Sequence, residues 1–155
     1  MSLLRLVINI DGASSGNPGE AGIGVVVRQD QQTIKEISKS IGIATNNVAE
    51  YSALIYALQE SLIRRADEVK VITDSELVYK QMIGEYKVKN PNILPLFEQA
   101  RHLLQGIKKF SIEHVLREHN KDADRLATQS IKKKQATMVA PLFDNTGEES
   151  PSSTG

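Results

Sequence analysis

The sequence contains no cysteine. A disulfide framework, a thiolate metal site and a cysteine nucleophile are therefore excluded. The chain also lacks an apolar run near the roughly 18 residues that a membrane span requires. The segment Met1–Ile10 lacks the long apolar region and the small-residue cleavage site of a signal peptide. We therefore expect a cytoplasmic protein that does not enter a membrane.

The chain also lacks an excess of charge of either sign, since 19 Lys and Arg residues balance 19 Asp and Glu residues. This balance permits a polyanionic partner without demanding one. The 155 residues suit a single domain, and 40% hydrophobic with 25% charged residues is a globular composition. Because the C-terminal sequence is polar and of low complexity, we expect a folded domain over residues 1–134 and a polar tail, flexible or docked, over 135–155.

Hydrophobic periodicity predicts an alternation of strands and helices. Strands are predicted where β-branched and apolar residues dominate: Leu4–Ile10, Ile23–Arg28, Thr33–Ile41, Glu68–Thr73 and Phe110–Arg117. Helices are predicted at Val48–Ile63, Ser75–Ile83, Leu96–Gln105 and Lys121–Lys133. A glycine-rich loop, Gly12–Gly19, follows the first strand, and the short link Gln29–Gln32 makes the first three strands antiparallel. The order βββαβααβα predicts an α/β fold whose helices cover a mixed sheet.

Four acidic residues lie at the predicted boundaries of these elements. Asp11 and Asp74 each follow a strand, Glu50 lies near the start of a helix, and Asp124 lies in the first turn of the last helix. If the first and fourth strands are parallel neighbours, the two aspartates meet at the carboxyl edge of the sheet. Acidic residues also favour turns and helix starts for purely structural reasons, so each one alone is weak evidence of a site.

Asparagines precede both helices that carry these acids. Asn46 or Asn47 is expected to cap the first helix, which places Glu50 in its first turn. Asn120 is expected to cap the last helix, ahead of Asp124. Both acids are therefore predicted to sit close to a helix N-terminus.

Carboxylates gathered at one point repel each other unless protons or cations intervene. Hard divalent cations with oxygen ligands, chiefly Mg²⁺ or Mn²⁺, are the natural partners of such a cluster. Two such ions about 3.5–4 Å apart can activate a water and stabilise the leaving oxygen of a phosphodiester.

Four motifs occur in order along the chain: Asp11-Gly12-Ala13-Ser14 with Gly16-Asn17-Pro18-Gly19, then Asn46-Asn47-Val48-Ala49-Glu50, then Thr73-Asp74-Ser75, then Asn120 with Asp124, Leu126 and Ala127. Together they resemble the type 1 ribonuclease H family over roughly residues 4–132. The resemblance implies a ribonuclease H-like fold, a five-stranded mixed sheet flanked by helices. It also implies metal-dependent hydrolysis of the RNA strand of RNA–DNA hybrids, leaving a 3′-hydroxyl and a 5′-phosphate.

The resemblance further implies roles for individual residues. Asp11 would bridge two Mg²⁺ or Mn²⁺ ions, Asp74 and Glu50 would hold one of them, and Asp124 the other. Glu50 would also sense a ribose 2′-hydroxyl, the group that distinguishes RNA from DNA. The positions implied to contact the hybrid beside these acids are Gly12, Asn17, Asn46, Asn47 and Ser75.

Two features depart from the family pattern and indicate a short form. The mobile glycine-containing loop that carries a histidine is missing, and His119, five residues before Asp124, is the candidate for moving protons or releasing product. A loop histidine beside a helix start is the alternative. The segment around Lys87 and Lys89 stands where many members carry a basic helical protrusion. These lysines are candidate phosphate contacts, and a solvated loop is the alternative.

The expected function is that of a monomeric endoribonuclease acting on RNA–DNA hybrids. A related nuclease that also cuts double-stranded RNA and a catalytically inactive nucleic-acid-binding module are the alternatives. The presence of all four carboxylates argues against the inactive module.

Overall fold

A computed structural model of the protein describes residues 3–144, with side chains through residue 136. Within these residues the strands β1 to β5 are Arg5–Ser14, Gly19–Gln29, Gln32–Ala44, Glu68–Thr73 and Lys109–His114. The helices α1 to α4 are Asn46–Ile63, Glu76–Met82, Leu94–Leu104 and Lys121–Asp144, and a 3-10 turn spans Arg117–His119. The predicted order of strands and α-helices is confirmed.

The five strands form one mixed sheet in the order β3-β2-β1-β4-β5. The first three strands pair antiparallel, whereas β1 pairs with β4, and β4 with β5, in parallel. Asp30 and Gln31 connect β2 to β3 with positive φ angles of 51° and 68°. A two-residue hairpin turn of this kind matches the right-handed twist of the strands. The predicted mixed sheet and its antiparallel first half are therefore confirmed.

Helices cover both faces of the sheet because the strand side chains alternate. Ile8 and Ile10 of β1 belong to the larger core, with α1 and α3 on that face. On the opposite face Val26 of β2 packs with Ala123 and Leu126 of α4. At Gly24 a Cβ atom would lie 2.0 Å from the Ala123 carbonyl oxygen, so only glycine lets α4 approach β2 this closely.

The first strand is longer than predicted. It pairs with β2 as far as Ser14, so the predicted glycine-rich loop shrinks to the residues between Ser14 and Gly19. Pairing with β4 stops earlier, at Ile10 and Thr73. Asp11 therefore lies inside β1, at the position where the neighbouring strand β4 has ended.

Other boundaries also differ from the prediction, and both β2 and β3 are longer than predicted. Helix α3 begins at Leu94 rather than Leu96, because Pro95 is tolerated in a first turn. Strand β5 ends at His114 rather than Arg117. Helix α4 continues past its predicted end, through the expected domain boundary at residue 134, to Asp144. The rest of the expected tail, residues 145–155, lies outside the described residues.

In the stretch from residue 3 to residue 144, every helix is either too short or too polar to cross a bilayer.

Candidate active site

Two carboxylates meet where β1 and β4 separate. Asp74 directly follows Thr73, the last residue of β4, and Thr73 pairs with Ile10, the residue before Asp11. The parallel pairing brings both aspartates to the carboxyl edge of the sheet, as expected. Asp11 faces the α4 side, because it alternates with Ile10, and it is only 5% exposed.

Glu50 reaches the same edge from α1. Thr45, not Asn46 or Asn47, is the N-cap residue, and its hydroxyl accepts a hydrogen bond from the Val48 amide at 3.2 Å. The predicted caps are therefore wrong, and Glu50 lies in the second turn of the helix rather than the first. Thr45 takes this role because its backbone is extended while the following asparagines are already helical.

Gly12 allows α1 to approach β1. A Cβ atom at this position would lie 2.3 Å from the Ala49 carbonyl carbon and 2.4 Å from the Glu50 nitrogen, both backbone atoms that cannot move aside. In return the Gly12 amide donates a hydrogen bond to Glu50 Oε1 at 3.0 Å. The Asp11-Gly12 pair thus places one carboxylate and orients a second.

Asp124 arrives from the opposite face, in the first turn of α4. The residue before this helix, Asn120, directs its side chain to β1 rather than to the helix end. Its Nδ2 donates to the Ile10 carbonyl oxygen at 2.8 Å, and its Oδ1 accepts from Asn9 Nδ2 at 2.8 Å. Asn120 therefore joins the start of α4 to the strand that carries Asp11.

All four carboxylates line one cavity of about 310 Å³. Oxygen atoms of Asp11, Glu50 and Asp74 lie within 4.8 Å of one another. Asp124 lines the same cavity, where its Oδ1 lies 3.5 Å from Arg117 Nη2. The structure thus brings together the four acids that the sequence singled out.

The electrostatics of this cavity oppose the ionisation of its acids. Burial raises the pKa of the Asp11 carboxyl, and the charges of Glu50 and Asp74 raise that pKa further. Burial likewise raises the pKa of Glu50, and the Asp74 charge adds to the effect. The Gly12 amide and the Arg117 guanidinium act on the Glu50 pKa in the opposite direction. Without a cation, the cluster holds negative charge only at a cost in free energy.

The donor set fits a hard divalent cation. Every ligand atom of the cluster is a carboxylate oxygen, the type that Mg²⁺ and Mn²⁺ prefer. A cation would also offset the repulsion that raises the pKa of Asp11 and Glu50. Within the described residues, no second group of three or more acidic or histidine side chains is gathered in this way.

A second, asparagine-lined cavity adjoins the carboxylates. Asn17, Asn46 and Asn47 line it, and Asn46 also lines the carboxylate cavity, so the two spaces are neighbours. The Asn46 amide donates to Asn17 Oδ1 at 3.1 Å, which fixes the loop after β1 against the start of α1. Asn90 and Asn92, which were not predicted as site residues, also line it.

Among the other predicted substrate contacts, Gly12 lines the carboxylate cavity, and the remaining three lie outside both cavities. Ser75 is the N-cap of α2, and its hydroxyl accepts a hydrogen bond from the Val78 amide at 3.1 Å. Lys87 and Lys89 are exposed on the connector between α2 and α3. The structure thus gathers the asparagines beside the acids and leaves the two lysines on a separate surface.

His119 and Arg117 occupy unexpected positions. His119 is 67% exposed and lines a cavity with Asn9 and Arg28, not the cavity of the carboxylates. Arg117 lines the carboxylate cavity instead. Arg117 was not predicted as a site residue because the predicted β5 ran through it, whereas β5 ends at His114 and the 3-10 turn redirects the chain. The one sequence feature that could have indicated its role is a basic residue three positions before Asn120.

Comparison with known proteins identifies relatives of this fold and site. A family model described as reverse transcriptase-like matches residues 9–130. The bifunctional protein Rv2228c of Mycobacterium tuberculosis strain H37Rv is 42% identical over 156 residues, which cover 98% of this chain and 43% of that protein. The ribonuclease HI of Halobacterium salinarum is 43% identical over 128 residues, 82% of this chain and 64% of that protein. The chain thus spans less than two thirds of either curated relative.

Among solved structures, LC11-RNase H1 in complex with an RNA/DNA hybrid matches with a TM-score of 0.79 and 41% sequence identity. The match covers 84% of this chain and 99% of that chain. The similarity therefore extends over nearly the whole of that chain.

Proposed function

The chain belongs to the type 1 ribonuclease H family, and from this premise we propose that it hydrolyses the RNA strand of RNA–DNA hybrids. The observation that carries the proposal is the convergence of Asp11, Glu50, Asp74 and Asp124 on one cavity, each from a different element. A fold alone does not define an activity, but this group of acids has a defined chemistry.

The four carboxylates would hold two Mg²⁺ or Mn²⁺ ions. Asp11 would be a ligand of both, Asp74 and Glu50 would serve one ion, and Asp124 would serve the other. Bound ions of this kind supply an activated water and stabilise the charge on the leaving oxygen of a phosphodiester. The products of such hydrolysis are a 3′-hydroxyl and a 5′-phosphate.

The protein groups around the acids position the substrate. Gly12 holds the Glu50 carboxylate by its amide hydrogen bond, which orients Glu50 toward a ribose 2′-hydroxyl. Asn17, Asn46 and Asn47 line the adjoining cavity, where their amides can donate to sugar and phosphate oxygens of successive nucleotides. Contacts spread over several sugars favour a continuous RNA strand over an isolated ribonucleotide.

Basic side chains supply the attraction for phosphate. Arg117 is 80% exposed and is the basic residue lining the carboxylate cavity. It is placed to contact a phosphate group that enters this cavity. Lys87 and Lys89, on the connector, would contact the backbone further away, and such contacts do not distinguish RNA from DNA. Ser75 would contact the backbone beside the site through its remaining hydrogen-bonding capacity.

The position of His119, away from the carboxylate cavity, supports a role outside the group that touches the reacting phosphate. Its imidazole faces the cavity formed with Asn9 and Arg28. We propose that His119 acts only in the release of protons or product to the solvent on that side of α4.

A cleavage assay on end-labelled duplexes tests the proposal. The substrates are a full RNA–DNA hybrid, a DNA duplex with one embedded ribonucleotide, duplex DNA and duplex RNA, each with Mg²⁺, with Mn²⁺ or with a chelator. We expect internal cuts in the RNA of the hybrid with either ion, weak or no cutting at the single ribonucleotide, and intact duplex DNA. Mass spectrometry of the fragments should find 3′-hydroxyl and 5′-phosphate ends.

The same assay separates the alternatives. Equal cutting of the hybrid and of the single-ribonucleotide duplex would contradict recognition of several sugars. Efficient cutting of duplex RNA would indicate a broader nuclease. Binding of the hybrid without cutting, with either metal, would refute the proposed activity and indicate a binding module.

A further inference from the structure

A chain of polar side chains lies beneath α4, outside the carboxylate cavity. The Arg28 guanidinium of β2 donates to Asn9 Oδ1 of β1, and Asn9 Nδ2 donates to Asn120 Oδ1 at 2.8 Å. Asn120 Nδ2 in turn donates to the Ile10 carbonyl oxygen at 2.8 Å. The two asparagines are 6% and 1% exposed, so this is a buried relay with a charged donor at its outer end.

The relay ends on the backbone next to two carboxylates. Ile10 directly precedes Asp11, and the Asn120 carbonyl oxygen accepts a hydrogen bond from the Asp124 amide at 3.1 Å. Asn120 is thus bonded on one side to the strand that presents Asp11 and on the other to the turn that presents Asp124. A shift of this residue changes the separation of the two acids.

The rest of the α4 interface is close apolar packing. Where α4 crosses β2, Gly22 and Gly24 let the helix approach the sheet, and Val26 packs against its apolar side chains. Side-chain hydrogen bonds add directional contacts to the neighbouring strands. Besides the relay, Ser38 Oγ of β3 donates to the Leu126 carbonyl oxygen at 2.6 Å, one turn further along the helix.

We infer that Asn9 and Arg28 are positioning residues, which act through Asn120 to hold Asp124 in register with Asp11 and so set the affinity of the cavity for divalent cations. The inference rests on the proposed function in one respect, the assignment of these acids as cation ligands. Buried amides that lack a partner are costly, so the relay stays closed only in the geometry that satisfies all of its members.

Titration of metal-free protein with Mn²⁺ by calorimetry tests this inference without relying on activity. Asn9→Ala should weaken Mn²⁺ binding by about tenfold, the lower end of what outer-shell partners of metal ligands contribute. Arg28→Ala keeps the Asn9–Asn120 bond and should weaken binding less, and Arg28→Lys should restore part of the loss. Ser38→Ala is the matched control, because it removes a different hydrogen bond between the sheet and α4.

A double-variant cycle with Asp124→Asn distinguishes positioning from general destabilisation. If Asn9 acts through Asp124, then Asn9→Ala should have little further effect on Mn²⁺ affinity once Asp124 is neutral. An equal loss in Ser38→Ala, or an undiminished effect of Asn9→Ala in the Asp124→Asn background, would overturn the inference. If Asn9→Ala does not fold, the same comparison with Arg28→Ala decides, because Arg28 lies at the outer end of the relay.

The wild-type titration keeps this inference separate from the proposed activity. A wild-type protein that binds no Mn²⁺ overturns the inference together with the cation assignment. A wild-type protein that binds Mn²⁺ in the Asn9-dependent way described, yet leaves RNA–DNA hybrids intact, refutes the proposed activity and leaves the inference standing.

Discussion

Replacing Asp11 with asparagine removes one negative charge from the carboxylate cavity and keeps the shape of the side chain. Asp11 is 5% exposed, and its carboxylate lies within 4.8 Å of ligand oxygens of Glu50 and Asp74. In the metal-free protein these charges have no cation between them. We therefore expect Asp11→Asn to stabilise the metal-free fold while it disables the site.

The magnitude follows from the distance between the charges. Two unit charges 4.8 Å apart repel by about 3 kcal/mol at an effective dielectric constant near 20, and by about 1 kcal/mol in bulk water. Because the acids escape part of this repulsion by taking up protons, we expect a gain in unfolding free energy of about 2 kcal/mol at pH 8. For a chain of this size such a gain raises Tm by about 4–8 °C.

The gain should depend on pH in a defined direction. The folded state raises the pKa of Asp11 above that of the unfolded chain, first through burial and then through the charges of Glu50 and Asp74. At intermediate pH the folded state therefore binds more protons than the unfolded state, and wild-type stability falls as pH rises. Asparagine does not titrate, so the advantage of Asp11→Asn should be small near pH 4, the ordinary range of an aspartate pKa, and should grow toward pH 8.

Thermal unfolding with a chelator at pH 5 and pH 8 measures this advantage. Asp122→Asn is the control, because Asp122 is exposed in the same first turn of α4 as Asp124 but lies outside the carboxylate cavity. It should lose a little stability at both pH values through the helix dipole. If the advantage of Asp11→Asn is the same at pH 5 and pH 8, the reasoning from mutual repulsion is refuted.

Further substitutions test other parts of the site. Gly12→Ala should lower the unfolding free energy by about 3 kcal/mol, since its Cβ would overlap backbone atoms of α1, and an unchanged Tm would contradict that contact. Tyr51→Phe removes the 2.6 Å hydrogen bond from the Tyr51 hydroxyl to buried Gln81 Oε1 and should cost about 1–3 kcal/mol in urea unfolding. His119→Ala should reduce kcat on a hybrid less than about tenfold, and Arg117→Ala by about tenfold or more. A larger loss of kcat in His119→Ala than in Arg117→Ala would indicate that the imidazole, not the guanidinium, contacts the reacting phosphate.

Much of this fold is readable from sequence because its signals are local. The β-branched runs that end at Asp11 and Asp74 predict two strands, and their parallel pairing then brings the aspartates together. The period of apolar residues after Asn47 predicts α1 and hence the direction from which Glu50 arrives. Neighbouring residues determine the two strands and the helix on their own, whereas the parallel pairing of the strands is a contact between distant segments.

The features that sequence analysis missed depend on distant contacts. Gly12 was assigned to a loop, yet it lies in β1 because α1 packs against it and β2 continues to pair beside it. Thr45 rather than Asn46 caps α1 because the chain leaves β3 in an extended conformation up to that residue. Arg117 reaches the carboxylates only because a 3-10 turn follows β5. For Gly12 and Thr45, no local pattern distinguishes these outcomes from the alternatives.

We propose that the clustered carboxylates serve the hydrolysis of RNA paired with DNA. Single-turnover cleavage of an end-labelled RNA–DNA hybrid in Mg²⁺, compared between the wild type and Asp74→Asn, tests this most directly. We predict that the wild type cuts the RNA strand, and that Asp74→Asn loses several orders of magnitude in rate, each tenfold being about 1.4 kcal/mol in the barrier, while it keeps its fold. Cleavage by Asp74→Asn at a rate near that of the wild type would contradict the account.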